Sequence, residues 1–134
     1  MMRHMKRDVV IVALENSDLD ILMVRTHRFP DKWQPVGGGV EPHDENPLAA
    51  IVREVKEEVG ISLDVSALEH IITVPFDFGE GSVYCYQYPL KDTSMIMVDK
   101  EEIAEVRWVK VGDALNLPMY PATESFIKTL AERV

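Results

Sequence analysis

The stretch "NPLAAIVREVKEEVG", Asn46 to Gly60, decides the fold because it carries a complete set of helix signals. Asn46 is a typical N-cap, Pro47 suits the first helical position, and Gly60 favours a helix end. Apolar residues recur at intervals of three and four, which predicts one continuous stripe facing a core. That stripe consists of Leu48, Ile51, Val52, Val55 and Val59.

Three glutamates share one side of this predicted helix. Glu54, Glu57 and Glu58 stand at i, i+3 and i+4, largely opposite the apolar stripe, where a solvated charged face is expected. Like charges at these spacings are unfavourable, however, and the last two meet the negative end of the helix dipole. Convergent carboxylates are also the ligands that Mg²⁺ or Mn²⁺ requires. Periodicity and charge alone therefore support a solvated face and a metal site equally.

The rest of the chain predicts strands around this helix. Two aliphatic runs separated by the turn-rich "NSDLD" predict a hairpin, and a loop, "RFPDKWQPVGGG", leads to the helix. Three further strands and a closing helix follow, with Thr123 as the cap of that helix and Val134 in its buried face. We therefore expect an α+β fold in which helices pack against a mixed β-sheet. The predicted strands are "DVVIVALE", "DILMVRTH", "LEHIITVPF", "SVYCYQYPL" and "EVRWVKV".

Length and charge limit the classes of function. The 134 residues contain no linker or repeat, which predicts a single domain over residues 1–134, with residues 1–7 either disordered or vector-derived. A net charge of -9 argues against binding to a nucleic acid polymer. No apolar run is long enough to span a bilayer and no secretory signal is recognisable. We therefore expect a cytoplasmic protein that has no membrane partner.

A longer fixed pattern surrounds the three glutamates. It runs Gly39, five residues, Glu45, seven residues, Arg53-Glu54-Val55, one residue, Glu57-Glu58, one residue, and Gly60-Ile61. This pattern resembles the Nudix box, G-x5-E-x7-R-E-U-x-E-E-x-G-U with U aliphatic, and every specified position matches. Two nearby positions depart from the common family pattern. Val36 stands between Pro35 and the glycines, and Asp44 stands where glycine commonly precedes the first box glutamate.

The resemblance implies a Nudix-type α/β/α sandwich, with a mixed β-sheet between helices, and a divalent metal site. Glu57 and Glu58 would be the principal ligands of Mg²⁺ or Mn²⁺, and Glu54 would be a third ligand or the base for the attacking water. The backbone carbonyl of Gly38 would complete the metal site. The glycine run, which ends at Gly39, would allow a tight backbone approach beside metal and substrate.

Other positions receive supporting and substrate-binding roles from the same resemblance. Arg53 and Glu45 would hold the loop and the glutamate array in place through their opposite charges. Arg25 and Arg28 belong to a basic cluster just before the glycines and suit the positioning of a phosphate. Ordinary exposed polar positions explain that cluster equally well.

The signal weakens beyond the box. Some family members carry a further catalytic base in the region that holds Glu101, Glu102 and Glu105, although solvated acids are expected for at least two of these. Four aromatic residues are candidates for stacking on a nucleobase, with a place in the core as the alternative. They are Trp33, Phe76, Phe78 and Tyr84.

The resemblance implies an enzyme that hydrolyses a nucleoside diphosphate linked to another moiety. We expect a nucleoside triphosphate or a modified nucleotide as the small-molecule substrate, with a monophosphate product. ADP-ribose and dinucleoside polyphosphates are alternative substrates for the same type of hydrolysis. An alternative of another class is a nucleotide-sensing Nudix module without catalysis. Homodimerisation is common in the family and stays open.

Overall fold

The computed structural model describes residues 5–133 of the chain. The protein folds around a six-stranded mixed β-sheet. Its strand order is β5-β7-β2-β4-β3-β8, in which β2 and β7 are parallel and the other neighbours are antiparallel. A separate two-stranded parallel pair joins β1 to β6. The strands are β1 Met5–Lys6, β2 Val9–Glu15, β3 Asp20–Thr26, β4 Gln34–Gly39, β5 Glu69–Pro75, β6 Gly79–Glu80, β7 Ser82–Pro89 and β8 Ile103–Lys110.

The predicted hairpin between β2 and β3 exists only at its turn. These strands pair at Glu15 and Ile21, and β4 then lies between them, bonded to both. The segment that we predicted as a glycine loop is therefore a central strand, and the loop prediction is wrong for residues 34–39. Glycine and proline disfavour strands, but hydrogen-bonding partners on both sides override that local preference.

Helices cover both faces of the sheet. The helices are α1 Pro47–Val59, α2 Val111–Ala114 and α3 Pro121–Glu132. Alternate residues of β2 point to opposite layers: Val10 and Val12 pack in the cluster that contains Ile51 of α1, whereas Ile11 packs in the cluster that contains Phe126 of α3. A strand that is buried on both faces explains the unbroken aliphatic run in β2. The predicted sandwich of helices around a mixed sheet is confirmed.

The ends of α1 follow the sequence signals. The side chain of Asn46 accepts a hydrogen bond from the backbone N–H of Ala49 at 2.8 Å, and Gly60 adopts a left-handed conformation with φ 73°. The apolar stripe is only partly as predicted, because Leu48 in the first turn is 37% exposed. Ile51, Val55 and Val59 are fully buried and anchor the helix to the sheet.

The closing helix begins earlier than predicted. It starts at Pro121 and not after Thr123, which is buried in its first turn, so the capping role that we assigned to Thr123 is wrong. The loop residue Asp77 caps the helix instead, since its carboxylate accepts a hydrogen bond from the N–H of Ala122 at 2.9 Å. Val134, predicted in the buried face, lies outside the described residues.

The start of the chain is more ordered than expected. Residues 5–6 form β1, and the backbone N–H of Arg7 donates to the carbonyl of Glu80 at 2.8 Å. Residues 5–7 are thus held by backbone pairing, while residues 1–4 lie outside the described part of the chain. Between residues 5 and 133, no helix has the length and hydropathy needed to cross a membrane.

Candidate active site

A cleft of about 690 Å³ opens where α1 meets β4. Two glutamates of α1, the glycines of β4, two acids of the loop before β8 and several aromatic rings line it. The lining residues include Arg7, Arg28, Phe29, Gly38, Gly39, Glu54, Glu58, Phe76, Phe78, Glu101, Glu102 and Tyr120.

Glu54 and Glu58 are buried against the glycine strand. They are 8% and 5% exposed, so the solvated-face interpretation is wrong for both. The backbone N–H of Gly37 donates to Oε2 of Glu58 at 3.2 Å. The carboxylate of Glu54 lies directly on Gly38, because a Cβ at that position would come within 2.7 to 2.8 Å of the carboxylate atoms. A residue larger than glycine at position 38 would therefore displace Glu54.

The surroundings of these two carboxyl groups favour their neutral forms. Burial raises the pKa of Glu58 to about 9, and the nearby charges of Glu54 and Glu102 act in the same direction. Burial also raises the pKa of Glu54, although the adjacent guanidinium of Arg53 opposes the shift. Crowded acids with raised pKa values are typical of functional sites, because a bound cation would relieve their repulsion.

Arg53 organises the acidic side of the cleft. Its guanidinium donates to Oε1 of Glu54 at 3.0 Å, to Oε2 of Glu57 at 3.2 Å and to the carbonyl of Gly39 at 3.1 Å. Two further bonds, at 3.0 and 2.9 Å, go to the carboxylate of Asp44. The bond from Arg53 is the main reason that the pKa of Asp44 falls to about 2. Arg53 therefore links the loop before α1 to the glutamates and to β4.

The expected pairing of Arg53 with Glu45 is wrong. Glu45 is exposed, and among residues 5–133 it makes no hydrogen bond or ion pair with Arg53. Asp44 takes its place because a turn holds it towards the helix, with the N–H of Glu41 donating to Oδ2 of Asp44 at 2.8 Å. Sequence reasoning missed Asp44, although its departure from the usual glycine was a usable signal.

Glu57 does not converge with the other two glutamates. Its side chain is 55% exposed and turns to Arg53 outside the cleft. Within residues 5–133, no three His, Cys, Asp or Glu side chains stand close enough to hold an ion as they are placed. The donors that do meet, from Glu54 and Glu58 with Glu102 nearby, are all oxygens, and oxygen donors fit Mg²⁺ or Mn²⁺.

The residues predicted to bind substrate divide into two groups. Arg28, Gly38 and Gly39 line the cleft. Arg25 does not, because its guanidinium is held by Oε1 of Glu105 at 3.2 Å and by the carbonyl of Pro30 at 3.2 Å. The structure therefore leaves Arg25 in a peripheral ion pair.

The three candidate loop acids also lie in two different places, two inside the cleft and one outside it. Glu101 and Glu102 line the cleft, and the negative charge of Glu102 helps to raise the pKa of Glu58. Glu105 points instead to Arg25 and Arg107. Glu102 is thus the loop acid nearest to the buried glutamates.

Aromatic side chains form a second wall of the cleft. Phe76 and Phe78 meet edge to face at 5.7 Å, and Tyr120 contacts Phe78 at 5.1 Å and Phe29 at 5.7 Å. Phe29 and Tyr120 were not among the predicted stacking residues, since nothing in the sequence places their loops beside Phe78. We define Phe29, Phe76, Phe78 and Tyr120 as the aromatic wall.

The other two aromatic candidates belong to the core. Trp33 is 7% exposed and has the guanidinium of Arg107 over its ring at 4.7 Å, whereas Tyr84 packs against the cluster beneath α1. Neither residue lines the cleft. The alternative of a place in the core, which the sequence left open, holds for both.

Comparison with known protein families identifies the domain that forms this cleft. The NUDIX domain matches residues 5–130, a span that contains both walls of the cleft. The chain belongs to the Nudix family. Diphosphoinositol polyphosphate phosphohydrolase 2 from Mus musculus is 33% identical to this Nudix chain over 116 residues, which cover 84% of the chain and 62% of the relative. The chain thus spans less than two thirds of the length of the curated relatives that it first matches.

Solved structures confirm the Nudix fold. The E. coli dihydroneopterin triphosphate pyrophosphohydrolase superposes with a TM-score of 0.82 at 23% identity, over 98% of this chain and 100% of that one. The MutT protein from Methanosarcina mazei Go1 gives a TM-score of 0.77 at 22% identity, over 99% and 98%. At these identities the likeness establishes the architecture and not the substrate.

Proposed function

We propose that this Nudix protein is a Mg²⁺-dependent pyrophosphohydrolase that acts on a nucleoside triphosphate or a modified nucleotide and releases a monophosphate. One observation carries the proposal: a single cleft holds two buried glutamates against a glycine strand on one side and the aromatic wall on the other. The acidic side suits a metal-bound pyrophosphate, and the aromatic wall suits a planar base.

The metal would be held by Glu54, Glu57 and Glu58 together with the backbone carbonyl of Gly38. Glu57 is exposed and paired with Arg53, so this assignment requires its carboxylate to rotate away from Arg53 when the metal binds. Mn²⁺ satisfies the same oxygen donors. When bound, the metal supplies positive charge for the phosphate oxygens and makes water a stronger nucleophile at neutral pH.

The chain's own residues supply the rest of the reaction. Water attacks one phosphorus atom of the anhydride, the bridging P–O bond breaks, and the electron pair leaves with the second phosphate. A carboxylate takes the proton from the water, and Glu54 and Glu102 are the two candidates for that role. Arg53 fixes Glu54 through the 3.0 Å bond, while Glu102 lines the same cleft from the loop before β8.

A diphosphoinositol polyphosphate is a second candidate substrate, because the curated relatives at 33% identity carry that name. Such a molecule holds many phosphates and no aromatic ring. The cleft instead offers four aromatic rings, and its acidic side chains outnumber Arg7, Arg28 and His27. Charge and shape therefore favour a nucleotide over an inositol polyphosphate. ADP-ribose and dinucleoside polyphosphates remain alternatives that also carry a base.

The test is a substrate panel assayed with Mg²⁺ or Mn²⁺. It contains nucleoside triphosphates, oxidised deoxynucleoside triphosphates, ADP-ribose, diadenosine polyphosphates and a diphosphoinositol pentakisphosphate. Glu57→Gln and Glu58→Gln should each lose activity, and Glu124→Gln, on the exposed side of α3, is the matched control. Full activity in both box variants would overturn the metal assignment. Tight nucleotide binding without turnover by the wild type would favour the sensing module.

A further inference from the structure

We infer that Arg7 is a substrate-binding residue, whose guanidinium binds a non-bridging phosphate oxygen beside Gly39, in the cleft that also contains Glu54. The inference rests on the proposed function, because it requires a pyrophosphate at the buried glutamates. Arg7 lies outside the box and in the segment that the sequence predicted to be disordered or vector-derived.

The first observation is the placement of the Arg7 guanidinium. It lines the cleft and lies directly on Gly39, where an added Cβ would clash with Nη2, Nε and Cζ of Arg7. The adjacent residue, Gly38, carries the carboxylate of Glu54 in the same way. Gly38 and Gly39 are consecutive in β4, so these two contacts lie on opposite faces of the strand. Both Arg7 and Glu54 line the same cleft, and a metal-bound phosphate in that cleft needs a cation as well as the acids.

The second observation is that the backbone of this segment is held on two sides. The N–H of Arg7 donates to the carbonyl of Glu80 at 2.8 Å, and the carbonyl of Asp8 accepts from the N–H of Val40 at 2.9 Å. The carboxylate of Asp8 also accepts from the N–H of Ser82 at 3.0 Å. Because these bonds fix the segment before any ligand arrives, Arg7 would bind a phosphate without a further ordering cost for the main chain.

The third observation is that two other arginines near the cleft are already neutralised, whereas Arg28 lies over the ring of Phe29 in the aromatic wall. Arg53 is surrounded by Asp44, Glu54 and Glu57, and Arg25 is paired with Glu105. Across residues 5–133, no carboxylate forms an ion pair with the guanidinium of Arg7. A guanidinium with free donors matches the oxygens of a phosphate and can donate two parallel hydrogen bonds.

The inference is tested with Arg7→Gln and Arg7→Lys, using imidodiphosphate with Mg²⁺ as a base-free pyrophosphate analogue in titration calorimetry. Arg7→Gln should bind it about 10- to 100-fold more weakly, the range expected for a lost hydrogen bond to a charged group. Arg7→Lys keeps the charge and should recover part of the affinity. Arg133→Gln, which removes an exposed arginine paired with Glu69, should bind like the wild type.

The effect of Arg7→Gln on KM provides a second readout. For any nucleotide that the wild type hydrolyses, Arg7→Gln should raise KM by a similar factor, and circular dichroism should show an unchanged fold. Wild-type affinity for imidodiphosphate in folded Arg7→Gln, or no binding by the wild type, would overturn the inference. Hydrolysis with an unchanged KM in Arg7→Gln would support the proposed function and refute the role of Arg7. Arg7-dependent binding without hydrolysis of any substrate would instead refute the function and retain the site.

Discussion

Arg53 binds Asp44 through two parallel hydrogen bonds, from Nε to Oδ1 at 3.0 Å and from Nη2 to Oδ2 at 2.9 Å. This bidentate pair ties the loop before α1 to the middle of the helix. The same guanidinium also donates to Glu54 and to the carbonyl of Gly39. The position of Glu54 therefore depends on Asp44, which does not line the cleft.

Asp44→Asn should weaken Mn²⁺ binding and lower kcat/KM by about 10- to 100-fold, as is typical when a residue that orients a metal ligand is lost. Glu45→Gln is the matched comparison, because Glu45 is exposed and unpaired with Arg53, and it should change both quantities much less. Metal titration and steady-state kinetics measure the two effects. A larger loss in Glu45→Gln than in Asp44→Asn would show that Glu45 acts in a way that the ion-pair geometry does not reveal.

Glu58→Gln should stabilise the metal-free protein at pH 7 by about 1 to 3 kcal/mol, because folding must protonate a Glu58 carboxylate that is ionised in the unfolded chain, whereas glutamine takes up no proton. Burial raises the folded-state pKa of Glu58 from 4.5 to about 9, so the unfolded chain loses this proton first as pH rises. The stability linked to the neutral carboxyl is fully present below about pH 4.5 and is lost as pH rises towards 9.

Urea denaturation in EDTA across this pH range measures that effect. The stability of the wild type should fall with rising pH more steeply than that of Glu58→Gln. The exposed Glu57→Gln is the control and should stay within about 0.5 kcal/mol of the wild type. Parallel pH profiles for the wild type and Glu58→Gln would contradict the buried, protonated carboxyl.

Metal binding should release protons, because a carboxyl that is neutral in the metal-free protein must ionise to act as a ligand. With the pKa of Glu58 near 9, the apparent affinity for Mn²⁺ should rise between about pH 6 and 9, by up to about tenfold per pH unit. Titration calorimetry in two buffers of different ionisation enthalpy counts the released protons. Heats that do not depend on the buffer would argue that Glu58 is already ionised.

The helix that carries the glutamates was predictable, because its signals are local. Asn46 and Gly60 fix its ends through contacts within five residues, and Ile51, Val55 and Val59 have helical spacing. The pairing of the strands was harder to predict from the sequence. Whether β3 lies beside β2 or one strand away depends on residues 34–39, whose local preference is for a loop, so only pairing on both sides reveals the strand.

The sequence predicted the chemical class of the candidate site but not which side chains contact one another in it. Fixed spacing identified the box, yet the choice of Asp44 over Glu45 depends on how a turn aims one side chain. The association of Arg7 with Gly39, and of Phe29 with Tyr120, joins segments far apart in sequence. Such contacts depend on the folded topology, and no periodicity in the chain encodes them.

Glu102→Gln should reduce kcat by about 100- to 10,000-fold if Glu102 accepts the proton of the attacking water. Glu105→Gln is the matched control on the same segment, since Glu105 is paired with Arg25 away from the glutamates, and it should stay within a few-fold of the wild type. Mn²⁺ affinity should be preserved in Glu105→Gln. A normal kcat in Glu102→Gln would assign the proton to Glu54, and a larger loss in Glu105→Gln would contradict the geometry of the loop.

Phe78→Ala and Tyr120→Ala should raise KM for a nucleotide substrate while leaving kinetics on a base-free polyphosphate unchanged. Phe78 is 48% exposed and contacts Tyr120 at 5.1 Å, so both rings can reach a base that enters the cleft. Loss of stacking on one ring costs about 1 to 3 kcal/mol, which corresponds to about 5- to 150-fold in KM. Steady-state assays with a nucleoside triphosphate and with inorganic tripolyphosphate separate the base from the phosphates. Equal losses on both substrates would mean that the aromatic wall supports the fold of the cleft and does not read the base.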